Sequence, residues 1–69
     1  MLYCDNGNKV KEVKMYSPYL NPGDLLGVHD WGYEIKEEDV SKELKLFEPH
    51  KINSTFEKEN CMSRFWIRR

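Results

Sequence analysis

His29 and Asp30 stand side by side at the end of a short apolar run, Leu25-Leu26-Gly27-Val28, and Asp5 stands at the end of another, Met1-Leu2-Tyr3-Cys4. An imidazole, with a reference pKa near ~6.5, accepts a proton at neutral pH. Grouped with carboxylates it makes either a general-base site or a nitrogen and oxygen ligand set for a divalent metal. Adjacent strand residues point to opposite faces, so His29 and Asp30 can converge only where the strand has already ended, a change of direction that Gly32 would allow. Each residue also has a plainer reading. Asp5 can cap the helix that follows it, His29 can pack at a strand end, and Trp31 can join the core instead of lining a pocket for a flat substrate. Lys9 reads as a solvated helix lysine, with pairing to a carboxylate near Asp5 as the alternative.

The elements that must position these groups follow from spacing. An apolar run too short for a helix suits a strand buried on both faces, and such sheets carry their ligands beyond the carboxyl ends of the strands. Between the two runs, Val10, Val13, Tyr16 and Leu20 recur every three or four residues, which predicts a helix whose regular part ends near Ser17, before Pro18. Asn21-Pro22-Gly23 turns the chain into the second strand. Residues 1 to 30 therefore read as strand, helix, strand, with the strands parallel and the crossover right-handed. Asp5 and the His29-Asp30 pair then share one edge of the sheet.

Downstream, Glu37, Glu38 and Asp39 precede Val40, Leu44 and Phe47, the acidic start and single apolar face of a second helix ended by Pro49. Ile52 to Phe56 and Cys61 to Arg68 read as an antiparallel hairpin joined by the polar turn at Glu57 to Asn60. The expected fold class is thus α/β, with strands near 1–5, 24–30, 52–56 and 61–68: two parallel strands plus a C-terminal hairpin, and two helices.

With 69 residues, the chain is one domain at most, and its 39% hydrophobic and 13% aromatic content argues against disorder. A net charge of -1 with interspersed signs supplies no basic field for nucleic acid or an anionic membrane. No apolar run reaches the length of a membrane span, and no basic-then-apolar leader opens the chain. Cys4 and Cys61 form no CxxC unit and read as reduced thiols, which points to a cytoplasmic protein.

A strand ending in Cys4-Asp5-Asn6-Gly7-Asn8-Lys9, a helix reaching Tyr19-Leu20-Asn21-Pro22-Gly23-Asp24, the strand Leu25-Leu26-Gly27-Val28-His29-Asp30-Trp31 and the terminal Arg64-Phe65-Trp66-Ile67-Arg68 together resemble the C-terminal half of class I S-adenosylmethionine-dependent methyltransferases. The likeness covers essentially the whole chain, residues 1–69, as a single partial Rossmann-like domain. It implies a parent enzyme that moves a methyl group to a small-molecule hydroxyl. It also implies a strand order in which the final strand lies antiparallel beside the central one, with the remaining strand outermost. In the metal-dependent O-methyltransferases of the catechol and macrocin types, an acidic residue follows one strand and a pair of metal ligands follows the next. By that likeness Asp5, His29 and Asp30 are the metal positions, and His29 and Asp30 the catalytic ones. The histidine departs from the family's acidic pair and suits zinc, iron or manganese better than magnesium.

No Gly-x-Gly loop and no counterpart of the ribose-binding acid occur in the sequence, so S-adenosylmethionine is expected to bind the parent and not this chain alone. Two other readings stay open. In one, the chain is a non-catalytic half-domain that completes a missing N-terminal half or homodimerises through an open sheet edge. In the other, it is a small hydrolase or metal-binding domain using His29, Asp30 and His50.

Overall fold

A computed structural model describes residues 1–5 and 7–69; Asn6, part of the expected first turn, lies outside the described residues. The elements are β1 (Leu2–Cys4), α1 (Lys9–Tyr16), a 3-10 turn at Ser17–Tyr19, β2 (Leu25–Val28), α2 (Glu37–Leu44), β3 (Phe47–Pro49), α3 (Ile52–Lys58) and β4 (Arg64–Arg68). They build an α/β domain around a 4-stranded mixed sheet in the order β1-β2-β4-β3. β1 is parallel to β2, and β4 runs antiparallel to both of its neighbours.

The parallel pair follows from chain length. Two strands joined by a helix of two turns cannot close as a hairpin, so α1 carries the chain back before β2 begins. Pro18, with no N–H to give, ends the regular helix after Tyr16, and Leu20 then donates to the Ser17 carbonyl. At the second turn Gly23 takes a φ of 93°, a region open to glycine, and its N–H donates to the Arg68 carbonyl. Asp24 holds that turn through its carboxylate, which accepts from the Asn21 N–H at 2.8 Å.

The outer strand corrects the sequence reading. Ile52 to Phe56 forms no strand; it belongs to α3, and the outermost strand is Phe47–Pro49, which spacing had joined to α2. α2 stops at Leu44, so Phe47 reaches the core from a strand instead of a helix face. Side chains then start α3. The His50 Nδ1 accepts from the Ile52 N–H at 3.0 Å, while Asn53 accepts from the Phe65 N–H at 2.8 Å and donates to its carbonyl at 2.9 Å. Asn53 thereby satisfies β4 at the point where β3 has run out. Three helices result, where two were expected.

The core lies on one face of the sheet. Cys4, Leu26, Val28, Phe47 and Trp66 meet Val13 of α1 and Val40 of α2, with Ile35 closing the cluster from the loop after β2. Burying a side chain of the size of Leu26 or Ile35 stabilises the fold by about 1.5–3 kcal/mol. The opposite face is aromatic: Tyr3 and Phe65 stack at 5.8 Å across Gly27, and Phe56 of α3 lies 5.9 Å from Phe65. A Cβ on Gly27 would come within 2.5 Å of both the Tyr3 and the Phe65 rings, so only glycine lets the rings close over β2.

Candidate functional site

β1 and β2 end side by side, and the pairing runs one residue beyond β2 through a 3.0 Å bond from the His29 N–H to the Cys4 carbonyl. Asp30 then takes a φ of 58°, a left-handed conformation that aspartate tolerates better than most residues. With the strand already over, its carboxylate can lie beside the preceding imidazole. Gly32, at φ 93°, continues the turn, and the loop is tied down by bonds from Trp31 to Met62 and from Gly32 to Ile35.

Asp5, His29 and Asp30 come together as the topology required. The Nδ1 of His29 lies 3.3 Å from Asp5 Oδ1 and 3.3 Å from Asp30 Oδ1. Both carboxylates approach the same ring nitrogen, and a proton placed on Nδ1 between them would leave the Nε2 lone pair for another molecule. His29 is half exposed, so that lone pair can be reached. Asp5 is the outermost of the three and faces the imidazole; the N-cap position of α1 belongs to Asn8.

Lys9 corrects the sequence reading. Its side chain is only 3% exposed, and Nζ reaches Glu34 Oε2 at 2.8 Å and Asp30 Oδ2 at 3.5 Å. The hydrogen bond that Lys9 donates to Glu34 is the main reason its pKa stands above the usual lysine value; burial pulls the other way, and the charges of Glu34 and Asp30 add to the rise. Lys9 is therefore a fixed cation that holds one oxygen of Asp30 while the other faces His29. Glu34 carried no signal in the sequence, since its separation of 25 from Lys9 corresponds to no helix or hairpin spacing. At the end of β1, burial pushes the Cys4 thiol up to about 11, with Glu12 adding and Lys9 opposing. Cys4 is thus a protonated core residue at neutral pH, and both cysteines are free.

Trp31 meets Trp66 edge-on at 4.8 Å and also borders a cleft of about 440 Å³ shared with Tyr33, Met62 and Arg64. The cleft opens one residue beyond Asp30. A larger groove of about 620 Å³ follows α1 past Val10, Lys11 and Met15 and is bordered by Gly7, Asn8 and Glu34, the carboxylate that Lys9 holds. His50 is engaged at the start of α3 through its Nδ1.

Asp5, His29 and Asp30 have the donor chemistry of a divalent metal site, yet the imidazole nitrogen and the carboxylate oxygens face one another at hydrogen-bonding distance. Ligand atoms would need to sit about 2.0–2.2 Å from a shared ion. Among the described residues no group of three or more histidine, cysteine, aspartate or glutamate side chains is arranged to hold one. The sequence holds no Gly-x-Gly turn of the kind that would bring backbone amides to S-adenosylmethionine. Among the described residues no helix is long and apolar enough to cross a membrane. No model of a known protein family, no curated protein and no solved structure matches this chain.

Proposed function

We propose that this chain forms the acceptor side of an S-adenosylmethionine-dependent O-methyl transfer site, with a small-molecule hydroxyl as acceptor and the cofactor-holding half supplied by other residues. The observation that carries the reading is the convergence of Asp5, His29 and Asp30 at the carboxyl edge of the parallel pair, beside the cleft bordered by Trp31 and Tyr33. The placing of β4 antiparallel beside β2 supports it, although the outermost strand is Phe47–Pro49 and not the expected Ile52 to Phe56.

In this reading His29 Nε2 takes the proton of the acceptor hydroxyl as the oxygen becomes nucleophilic. Asp5 and Asp30 hold the Nδ1 proton in place and stabilise the imidazolium that forms. Lys9 fixes Asp30 and touches no substrate. A divalent ion would require His29 to turn away from the carboxylates, and no step is assigned to it.

Two titrations test the proposal. Small hydroxylated aromatics added to the labelled chain should shift the amide resonances of His29, Asp30 and Trp31, and His29→Gln should abolish those shifts. Resonances that stay put across the panel would remove the acceptor site. Calorimetry with S-adenosylmethionine should give only background heat. A micromolar dissociation constant, about -8 kcal/mol, would show that the chain holds the cofactor itself and would sink the divided-site reading.

A further inference from the structure

We propose that Arg64 selects the acceptor, and that the acceptor is a small aromatic ring bearing a carboxylate as well as the hydroxyl. The inference rests on the acceptor reading above and names the chemistry of that substrate. Its place is the cleft of about 440 Å³ that Arg64 and Glu57 share with Trp31, Tyr33 and Met62.

The sheet register brings Arg64 to the site. It opens β4 opposite Val28, the last residue of β2, and His29 follows Val28 directly. Neighbouring strands lie about 4.8 Å apart, so the guanidinium and the imidazole start from neighbouring points at one end of the sheet.

A guanidinium carries five N–H donors and keeps its charge across the physiological range. Inside the chain, Arg64 Nη1 donates to the Cys61 carbonyl and to the Ser63 carbonyl, each at 2.7 Å, and these bonds fix the plane of the group. Nε meets Glu57 Oε1 only at 4.0 Å, beyond hydrogen-bond length. Among the described residues Nη2 bonds nothing, and the buried polar atoms left without a partner belong to Glu12 and Arg68, so Nη2 is open to solvent. The side of the fork formed by Nε and Nη2 is therefore fixed, charged and unfilled, the arrangement that takes both oxygens of one carboxylate.

The cleft holds a charge of each sign, and the two are not equivalent. Arg64 is 17% exposed and pinned by its two bonds, whereas the Glu57 carboxylate is 66% exposed and can turn out into water. A pre-organised cation beside a carboxylate that can leave favours an anionic ligand, which displaces Glu57 from the fork. Trp31 and Tyr33, with the Met62 thioether, supply apolar contact for the ring.

Three probes that differ in one group test the assignment: para-hydroxybenzoate, para-hydroxybenzamide and para-hydroxybenzylamine. Each is titrated into the labelled full chain, and its dissociation constant is read from the amide resonances. The benzoate should bind roughly tenfold tighter than the amide, with the amine weakest. Glu57→Gln, an exposed change on α3, should tighten the benzoate about threefold. Arg64→Lys, which keeps the charge without the fork, should remove most of the preference.

Equal binding of benzoate and amide by the wild type, or tightest binding of the amine, overturns the proposal whether or not Arg64→Lys folds, and leaves the acceptor reading in place. A preference for the benzoate with no shift at His29 or Asp30 upholds the carboxylate fork and sinks the acceptor reading instead. No binding by any of the three overturns both.

Discussion

Lys9 lies between Glu34 and Asp30, and His29 lies between Asp30 and Asp5, so one carboxylate serves both ends of a single line of charges. The two bases differ in water. Lys9 is 3% exposed and His29 is 44% exposed, although their carboxylate surroundings are nearly alike. Burial makes the lysine end a structural anchor, since an ion taken from water must keep its partners. Exposure leaves the histidine end able to meet another molecule without unfolding the chain. The comparison separates what holds Asp30 from what Asp30 holds.

The sharpest way to break it is at the buried end. Lys9→Met should lower the melting temperature more than any substitution at His29 or Asp5, because it strands two carboxylates around an apolar chain. Lys9→Arg should recover part of the loss. A melting temperature for Lys9→Met no lower than that of His29→Gln would show that the two ends are equivalent.

Alkaline titration gives the next largest effect. Cys4 keeps its proton to about 11 in the fold, against 9.0 as its ordinary value. From pH 9 to about 11 the unfolded chain therefore binds fewer protons than the folded one, and stability falls as pH rises. The loss is on the order of 1 to 2 kcal/mol. Lys9 acts later. Its raised pKa contributes stability that is complete below the usual lysine value of 10.5 and is lost as pH climbs through the folded value. Urea midpoints followed across this range should show an early limb that disappears in Cys4→Ala and a late limb that remains. An unchanged early limb in Cys4→Ala would remove the thiol from the account.

At the exposed end the effects on stability are small. His29→Gln should cost about 1 kcal/mol or less while abolishing small-molecule binding, and 1 M salt should mimic it, since exposed pairs are screened. Asp5→Asn, on the most exposed member of the group, should change stability by about 0.5 kcal/mol or less.

The parallel pair and the meeting of Asp5 with His29 and Asp30 were legible in the sequence because both follow from local rules: a helical crossover, and the edge on which parallel strands end. The outer strand was not. Phe47 satisfies the spacing of α2 as well as a place in a three-residue strand, and Ile52 to Phe56 alternates well enough to pass for a strand. What decides is Asn53, whose amide bonds Phe65 of β4 from within α3, a contact no local pattern announces. The burial of Lys9 escaped for the same reason, since its partners arrive from the loop after β2.

The rings over Gly27 come from two other strands, and this ties three distant positions into one evolutionary unit. Alanine at position 27 is harmful while either Tyr3 or Phe65 is present, since each ring alone blocks its Cβ, yet it becomes the better residue once both rings are replaced by small side chains, because it fills the vacated space. In a library of combined variants the sign of Gly27→Ala should reverse only where positions 3 and 65 are both small. Among diverging copies of this chain, the three positions should change together or not at all.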